Sequence, residues 1–130
     1  MILADTSAWI EYLNATGSPQ SLRLRRAIAD REVVMIDPIL LEVLAGARRG
    51  VVDSTQRLLQ AQPRESVLST VDWLDAARIC RELRWRGVTL RSQVDALIGA
   101  VALRLDLPVL HRDRDYDRIA EHTPLRVLRP

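Results

Sequence analysis

The 130-residue chain contains no lysine. Its nineteen basic residues are all arginine, set against seventeen acids for a formal net charge of +2. Any site that depends on a lysine amine is therefore excluded. Codon usage in a GC-rich genome accounts for such a bias. The same guanidinium forks also match phosphate oxygens two at a time. Cysteine is nearly absent too. The single Cys80 rules out a disulfide framework within the chain and any cysteine-based zinc site. It lies in a helical pattern with Ala76, Ala77, Ile79 and Leu83, which predicts a core position. Aromatic residues are Trp9, Tyr12, Trp73, Trp85 and Tyr116, thin for a module that stacks RNA bases on an open sheet. No charged segment leads into an apolar stretch at the start, and no uncharged run is long enough to span a bilayer. A reducing cytoplasm is the expected compartment.

What remains is the composition of a globular domain, 48% hydrophobic and 28% charged. One domain over 1–130 is expected, long enough to bury a core without staples. The opening Met1-Ile2-Leu3-Ala4 reads as a strand buried on both faces. A helix over 7–14 follows, then Ser18-Pro19 as cap and first turn of a helix to about 31. Val33-Val34-Met35-Ile36 is a second strand. Asp37-Pro38 repeats the cap-then-proline signal, with Gly50 as the expected stop of that helix. A fourth helix covers 53–62, and 66–68 is a candidate short strand. Ser69-x-x-Asp72 predicts a capping box for a long helix ending at Gly87, and Ser92-x-x-Asp95 does the same for the next. That second helix is apolar almost all round, which implies burial on most sides. A strand over 108–111, a helix over 113–120 and a strand over 126–128 complete the chain. This order predicts an α/β three-layer sandwich around a mostly parallel sheet of four to five strands.

In such a sheet, sites form beyond the carboxyl ends of the strands. Asp5 ends the first strand and Asp113 follows the strand over 108–111, so both reach that edge. The helix after Asp37 starts there, and Glu42 lies roughly 7–8 Å along its axis. The helix opening at Ser92 runs back against the sheet, so its first turn, with Asp95, sits at the same edge. Asp115 is a candidate fifth acid. Taken one at a time, Asp5 and Asp113 are readable as N-caps and Asp95 as a capping-box acid. Glu42 resists such a reading. Its neighbours one turn away are Pro38, Ile39, Ala45 and Gly46, and none is basic. Asp37 is expected to be a cap, and Glu11 and Glu82 solvated helix positions.

Several carboxylates at one edge repel unless a cation joins them. Without lysine that cation is arginine or a metal. Hard oxygen donors favour Mg²⁺ or Mn²⁺, which can clamp a phosphodiester and prepare water for in-line attack. Thr6 and Ser7 are readable as helix-start residues or as supports of a ligating acid. Arg91, Arg112 and Arg114 flank the acids as candidate RNA-phosphate contacts or as ordinary surface arginines.

Four segments, Met1-Ile-Leu-Ala-Asp5-Thr-Ser7, Pro38-x-x-x-Glu42, Asp95-Ala-Leu-Ile-Gly-Ala100 and Leu110-His-Arg-Asp113-Arg-Asp-Tyr116, together resemble a PIN-domain ribonuclease of the VapC toxin type, from VapBC toxin–antitoxin operons. The resemblance spans the whole chain. It implies a Mg²⁺- or Mn²⁺-dependent endoribonuclease that cleaves structured RNA such as tRNA or rRNA. It implies a homodimer, inhibited by a small VapB-type antitoxin whose C-terminal segment covers the acidic site in a heterotetramer or larger assembly. Asp5, Glu42, Asp95 and Asp113 are then the catalytic acids, and Asp5, Asp95, Asp113 and Asp115 the metal ligands. A hydroxyl or Asn commonly precedes the fourth acid, where this chain has His111 and Arg112. Trp9, Tyr12 and Leu13 are candidates for the dimer or antitoxin contact, with core packing the other reading of Trp9.

Receiver domains and haloacid-dehalogenase-type phosphatases share the acidic α/β pattern but need a lysine. A non-toxin PIN nuclease of RNA processing, or a catalytically silent RNA-binding module, are the remaining readings. The expected chemistry is hydrolysis of an RNA phosphodiester leaving a 5′-phosphate.

Overall fold

Ile2, Leu3 and Ala4 are enclosed on both faces, and they form the central strand β1 (Ile2–Ala4). The structure, a computed structural model, describes residues 1–65 and 69–130. After β1 the chain runs through α1 (Thr6–Leu13), α2 (Pro19–Ala29), β2 (Val33–Val34), α3 (Asp37–Ala45) and α4 (Val52–Gln60). It continues with α5 (Ser69–Trp85), α6 (Gln93–Leu105), β3 (Val109–Leu110), α7 (Arg114–His122) and β4 (Val127–Leu128). The four strands form one parallel sheet in the order β2-β1-β3-β4. A parallel bridge between Met35 and Arg64 extends it beyond β2. The candidate strand over 66–68 lies outside the described residues.

Register follows from burial. Leu3 pairs with Val34 on one side and Val109 on the other, and all three are buried. Fully burying such a side chain stabilises by about 2 kcal/mol. Helices cover the two faces, as a sheet of apolar strands requires. The apolar α6 is buried along most of its length, from Ala96 through Ala102. Its long partner α5 ends in a left-handed Gly87, φ 83°, where the Val88 amide donates to Leu83 O at 2.9 Å. That turn satisfies carbonyls that no further helical turn can reach, and glycine takes the positive φ without strain.

Ser18 caps α2, accepting from the Ser21 amide at 3.1 Å, as expected. Several expectations are refined or corrected. α3 stops at Gly46, not Gly50. Continuing through Ala47, Arg48 and Arg49 would bury no apolar face, and Arg48 instead reaches Asn14 Oδ1 at 3.1 Å. Asp37 does not cap α3 but is its first residue, paired with Arg64. Asp72, the acid of the Ser69-x-x-Asp72 pattern, has a role that the spacing did not show. It is completely buried and paired with Arg104 of α6, whose Nε lies 2.9 Å from Oδ1. Trp9 is fully buried in the core, so it offers no surface to a partner. Cys80 is only partly buried at the edge of the core. Among the described residues, no helix is long and apolar enough to cross a membrane.

Candidate active site

Asp5 follows β1, and its amide donates to Leu110 O at 2.9 Å, which ties it to the end of β3. Its extended backbone makes it the N-cap of α1. Oδ2 accepts from the Ser7 amide at 3.0 Å and from Ser7 Oγ at 2.7 Å. Oδ1 does something else: it accepts from the Tyr116 hydroxyl at 2.6 Å. The carboxylate therefore caps the helix with one oxygen and turns the other toward the remaining acids. The N-cap reading of Asp5 holds for one oxygen, and the other is free of that role.

Glu42 comes from α3, which packs on α1. Thr6 Oγ1 donates to Glu42 Oε1 at 2.7 Å. Thr6 and Ser7 are thus helix-start residues and also supports of two acids. Ser7 Oγ additionally accepts the Arg112 amide at 2.9 Å, fastening α1 to the segment after β3.

Asp95 sits in the first turn of α6. Ser92 caps that helix, accepting from the Val94 amide at 3.1 Å. The Asp95 side chain is buried, with Oδ1 3.3 Å from the Tyr116 hydroxyl. Burial pushes its carboxyl up to about 7, and the charges of Asp5, Asp113 and Glu42 push the same way. The Tyr116 hydrogen bond opposes them only weakly. Three acids from three other segments thus act on Asp95, which is the electrostatic expression of their convergence.

Asp113 caps α7, its Oδ1 accepting from the Asp115 amide at 3.0 Å. Arg91 Nη2 approaches the same oxygen at 2.5 Å. Asp115 is buried. Its Oδ2 accepts the Arg91 amide at 2.9 Å, and Arg118 lies 3.5 Å from Oδ1. Carboxylate oxygens of Asp95, Asp113 and Asp115 lie within 4.8 Å of one another. Asp5, Thr6, Ser7, Glu42, Arg91, Ser92, Asp95 and Asp113 line an open cleft of about 310 Å³.

The flanking arginines divide. Arg91 turns to Asp113 and Asp115. Arg112 pairs with Glu11, whose side chain is largely covered, so Glu11 is not the solvated position expected of it. Arg114 is exposed at the start of α7. Two residues were not read from the sequence as part of the site. One is Tyr116, fully buried beneath Asp5 and Asp95. The other is His111, whose Nδ1 accepts the Asp113 amide at 3.0 Å. The available signal was the position of Tyr116 three residues after Asp113, on the buried side of α7 with Ile119.

The donor set consists of carboxylate oxygens, with no sulfur. His111 offers its Nδ1 to a backbone amide instead of the cleft. Burial, with the charges of Asp5, Asp113 and Glu42 adding to it, raises the Asp95 carboxyl to about 7, so gathering these acids is costly without a cation. Both features fit a hard divalent cation.

A family model for the PIN domain matches residues 2–122. The chain is 41% identical over 129 residues to VapC ribonuclease Mb1587 of Mycobacterium bovis, covering 97% of this chain and 96% of that protein. The same values relate it to Ribonuclease VapC11 of Mycobacterium tuberculosis. Among solved structures, VapBC2 from Rickettsia felis, bound to a DNA fragment from its promoter, superposes with a TM-score of 0.74 at 15% identity, over 98% of each chain. VapC20 of M. tuberculosis, a sarcin-ricin loop cleaving toxin, superposes with a TM-score of 0.64 at 22% identity over 100% of each. The last two likenesses speak for the fold alone. By the family model and the close relatives together, the chain belongs to the PIN-domain family, among the VapC ribonucleases.

Proposed function

We propose that this protein is an endoribonuclease toxin of a type II toxin–antitoxin pair, dependent on Mg²⁺ or Mn²⁺. It would hydrolyse a phosphodiester in structured RNA, such as tRNA or rRNA, and leave a 5′-phosphate. The observation that carries this reading is the convergence of Asp5, Glu42, Asp95 and Asp113 on one open cleft, with carboxylate oxygens of Asp95, Asp113 and Asp115 within 4.8 Å of one another.

Asp5, Asp95 and Asp113 would hold the cation, with Asp115 beside them. When bound, the cation supplies charge neutralisation at the phosphate and a more acidic water. The chain's own residues do the rest. Ser7 and Tyr116 hold Asp5 at both oxygens. Thr6 donates to Glu42, and Glu42 would direct the attacking water. Arg114 is exposed and can meet the RNA backbone. Arg91 and Arg112 must first release their acids to do so.

The partner reading rests on an apolar groove of about 910 Å³ between α3, α5 and α6. Trp73 and Leu41 line it while 58% and 69% exposed, and Glu42 lies on its wall. Exposed apolar surface that runs up to an acidic site suits an antitoxin segment that covers both. A homodimer, and a heterotetramer or larger with a VapB-type antitoxin, complete the proposal, in the cytoplasm.

The test is sequencing of RNA 5′ ends after induced expression, comparing wild type with Asp5→Asn. New 5′-phosphate ends at discrete sites are expected only with wild type. Equal cleavage by a folded Asp5→Asn protein would falsify the site.

A further inference from the structure

Tyr116 is fully buried, yet its hydroxyl has two acidic neighbours and no water-facing side. It lies 2.6 Å from Asp5 Oδ1 and 3.3 Å from Asp95 Oδ1. Those acids come from the end of β1 and the first turn of α6, and the phenol comes from α7. One hydroxyl therefore joins three elements at the sheet edge. A phenol has one proton, and the shorter contact assigns it to Asp5.

The ring is itself braced. His111 packs against it with ring centroids 5.2 Å apart and an interplanar angle of 37°. His111 Nδ1 accepts the Asp113 amide. Asp5 is held on its far side by Ser7, through Oγ at 2.7 Å and N at 3.0 Å. A carboxylate bonded at both oxygens cannot turn about its Cβ–Cγ bond without losing one partner. Its remaining lone pairs then have fixed directions. Filling the space under Asp5 needs only an aromatic ring. Fixing the Asp5 carboxylate needs the hydroxyl.

We infer that Tyr116 is a positioning residue of the acidic site, whose hydroxyl fixes the Asp5 carboxylate in the orientation that receives a divalent cation. The inference rests on the metal-dependent reading above. Groups that orient ligating side chains typically change metal affinity or activity by about 10- to 100-fold when removed. Tyr116 would do so without touching metal, water or RNA.

The experiment is isothermal titration of Mn²⁺ into wild type, Tyr116→Phe and His111→Asn, with melting curves in EDTA and RNA cleavage alongside. Tyr116→Phe keeps the ring, so an EDTA melting curve with a single cooperative transition is expected. Mn²⁺ affinity should fall about tenfold or more. At fixed Mn²⁺, kcat should fall while KM for RNA stays the same, and excess Mn²⁺ should restore much of kcat. His111→Asn, which keeps an acceptor for the Asp113 amide but removes the ring brace, should weaken Mn²⁺ by a smaller factor. It also supplies the reading if Tyr116→Phe does not fold. Wild-type Mn²⁺ affinity in both variants overturns the role of Tyr116 and leaves the metal reading standing. Absence of Mn²⁺ binding by wild type overturns both.

Discussion

Thr6 Oγ1 donates to Glu42 Oε1 at 2.7 Å, across 36 positions of sequence. The bond joins the first residue of α1 to the middle of α3, and it is the polar partner found for an acid within an otherwise apolar run. Thr6→Val keeps the shape and removes the donor. RNA cleavage is expected to drop about tenfold, with a stability loss of about 1 kcal/mol. Thr6→Ser should retain most activity. Initial rates on a fixed RNA, with urea melts in parallel, check this; equal rates for Thr6→Val and wild type would remove Thr6 from the site.

The crowded acids make stability depend on pH. Asp95 titrates at about 7 in the folded chain, against an ordinary value of 3.8. The folded state therefore holds a proton that the unfolded chain has released across this window. By linkage, this group's contribution to stability is fully present below the lower value and declines as pH rises toward the upper one. Its size is on the order of a few kcal/mol. Without divalent ions, Asp95→Asn should flatten the decline and be the more stable protein at pH 8. Urea unfolding in EDTA at pH 5 and pH 8 measures it. An unchanged pH slope in the variant would contradict the assignment to Asp95.

Metal should reverse that penalty. Adding Mg²⁺ or Mn²⁺ is expected to raise the melting temperature of wild type by mass action, and EDTA to lower it again. Glu42→Gln should melt higher than wild type in EDTA and gain less from the ion. Differential scanning fluorimetry across an ion titration decides the matter, and a curve indifferent to the ion in wild type would sink the idea.

Arg91 supplies positive charge to Asp113 and Asp115 from a largely exposed side chain. A guanidinium there competes with a cation for the same oxygens. Arg91→Ala is therefore expected to bind Mn²⁺ several-fold more tightly, with a smaller effect at high salt. Titration calorimetry at two ionic strengths measures both parts. Weaker Mn²⁺ binding in the variant would mean that Arg91 organises the acids instead of competing for them.

Far from the cleft, Asp72 and Arg104 hold α5 to α6. Arg104→Met removes the guanidinium from a carboxylate with 0% exposure. A loss of about 3 kcal/mol is expected. Adding Asp72→Leu should recover much of it, because the pair is replaced by apolar packing. The double-mutant cycle, read by urea melts, fails this prediction if the two losses simply add.

The acids were legible before the fold because each stands at a boundary with a chemical signature. Asp5 follows an apolar run, Asp95 lies three residues after Ser92, Asp113 follows a strand, and Glu42 has no basic neighbour one turn away. Asp72 shows the limit of that logic. Its spacing from Ser69 matches that of Asp95 from Ser92, but it faces Arg104 instead of the cleft. Spacing along one helix sets which face a residue occupies. It does not set what the neighbouring element brings to that face.

The same division runs through the whole protein. Apolar runs, caps and glycines determined the order of elements and the parallel sheet, because those signals act within a few residues. They also determined that strand ends and helix starts would meet at one edge, since connections in such sheets have a fixed hand. Tertiary structure alone decided which partners meet there. It put Tyr116 under Asp5 and Asp95, Thr6 against Glu42, and Arg91 between Asp113 and Asp115. These contacts depend on how α1, α3, α6 and α7 pack. Packing is set by side chains far apart in sequence, and no local pattern records it.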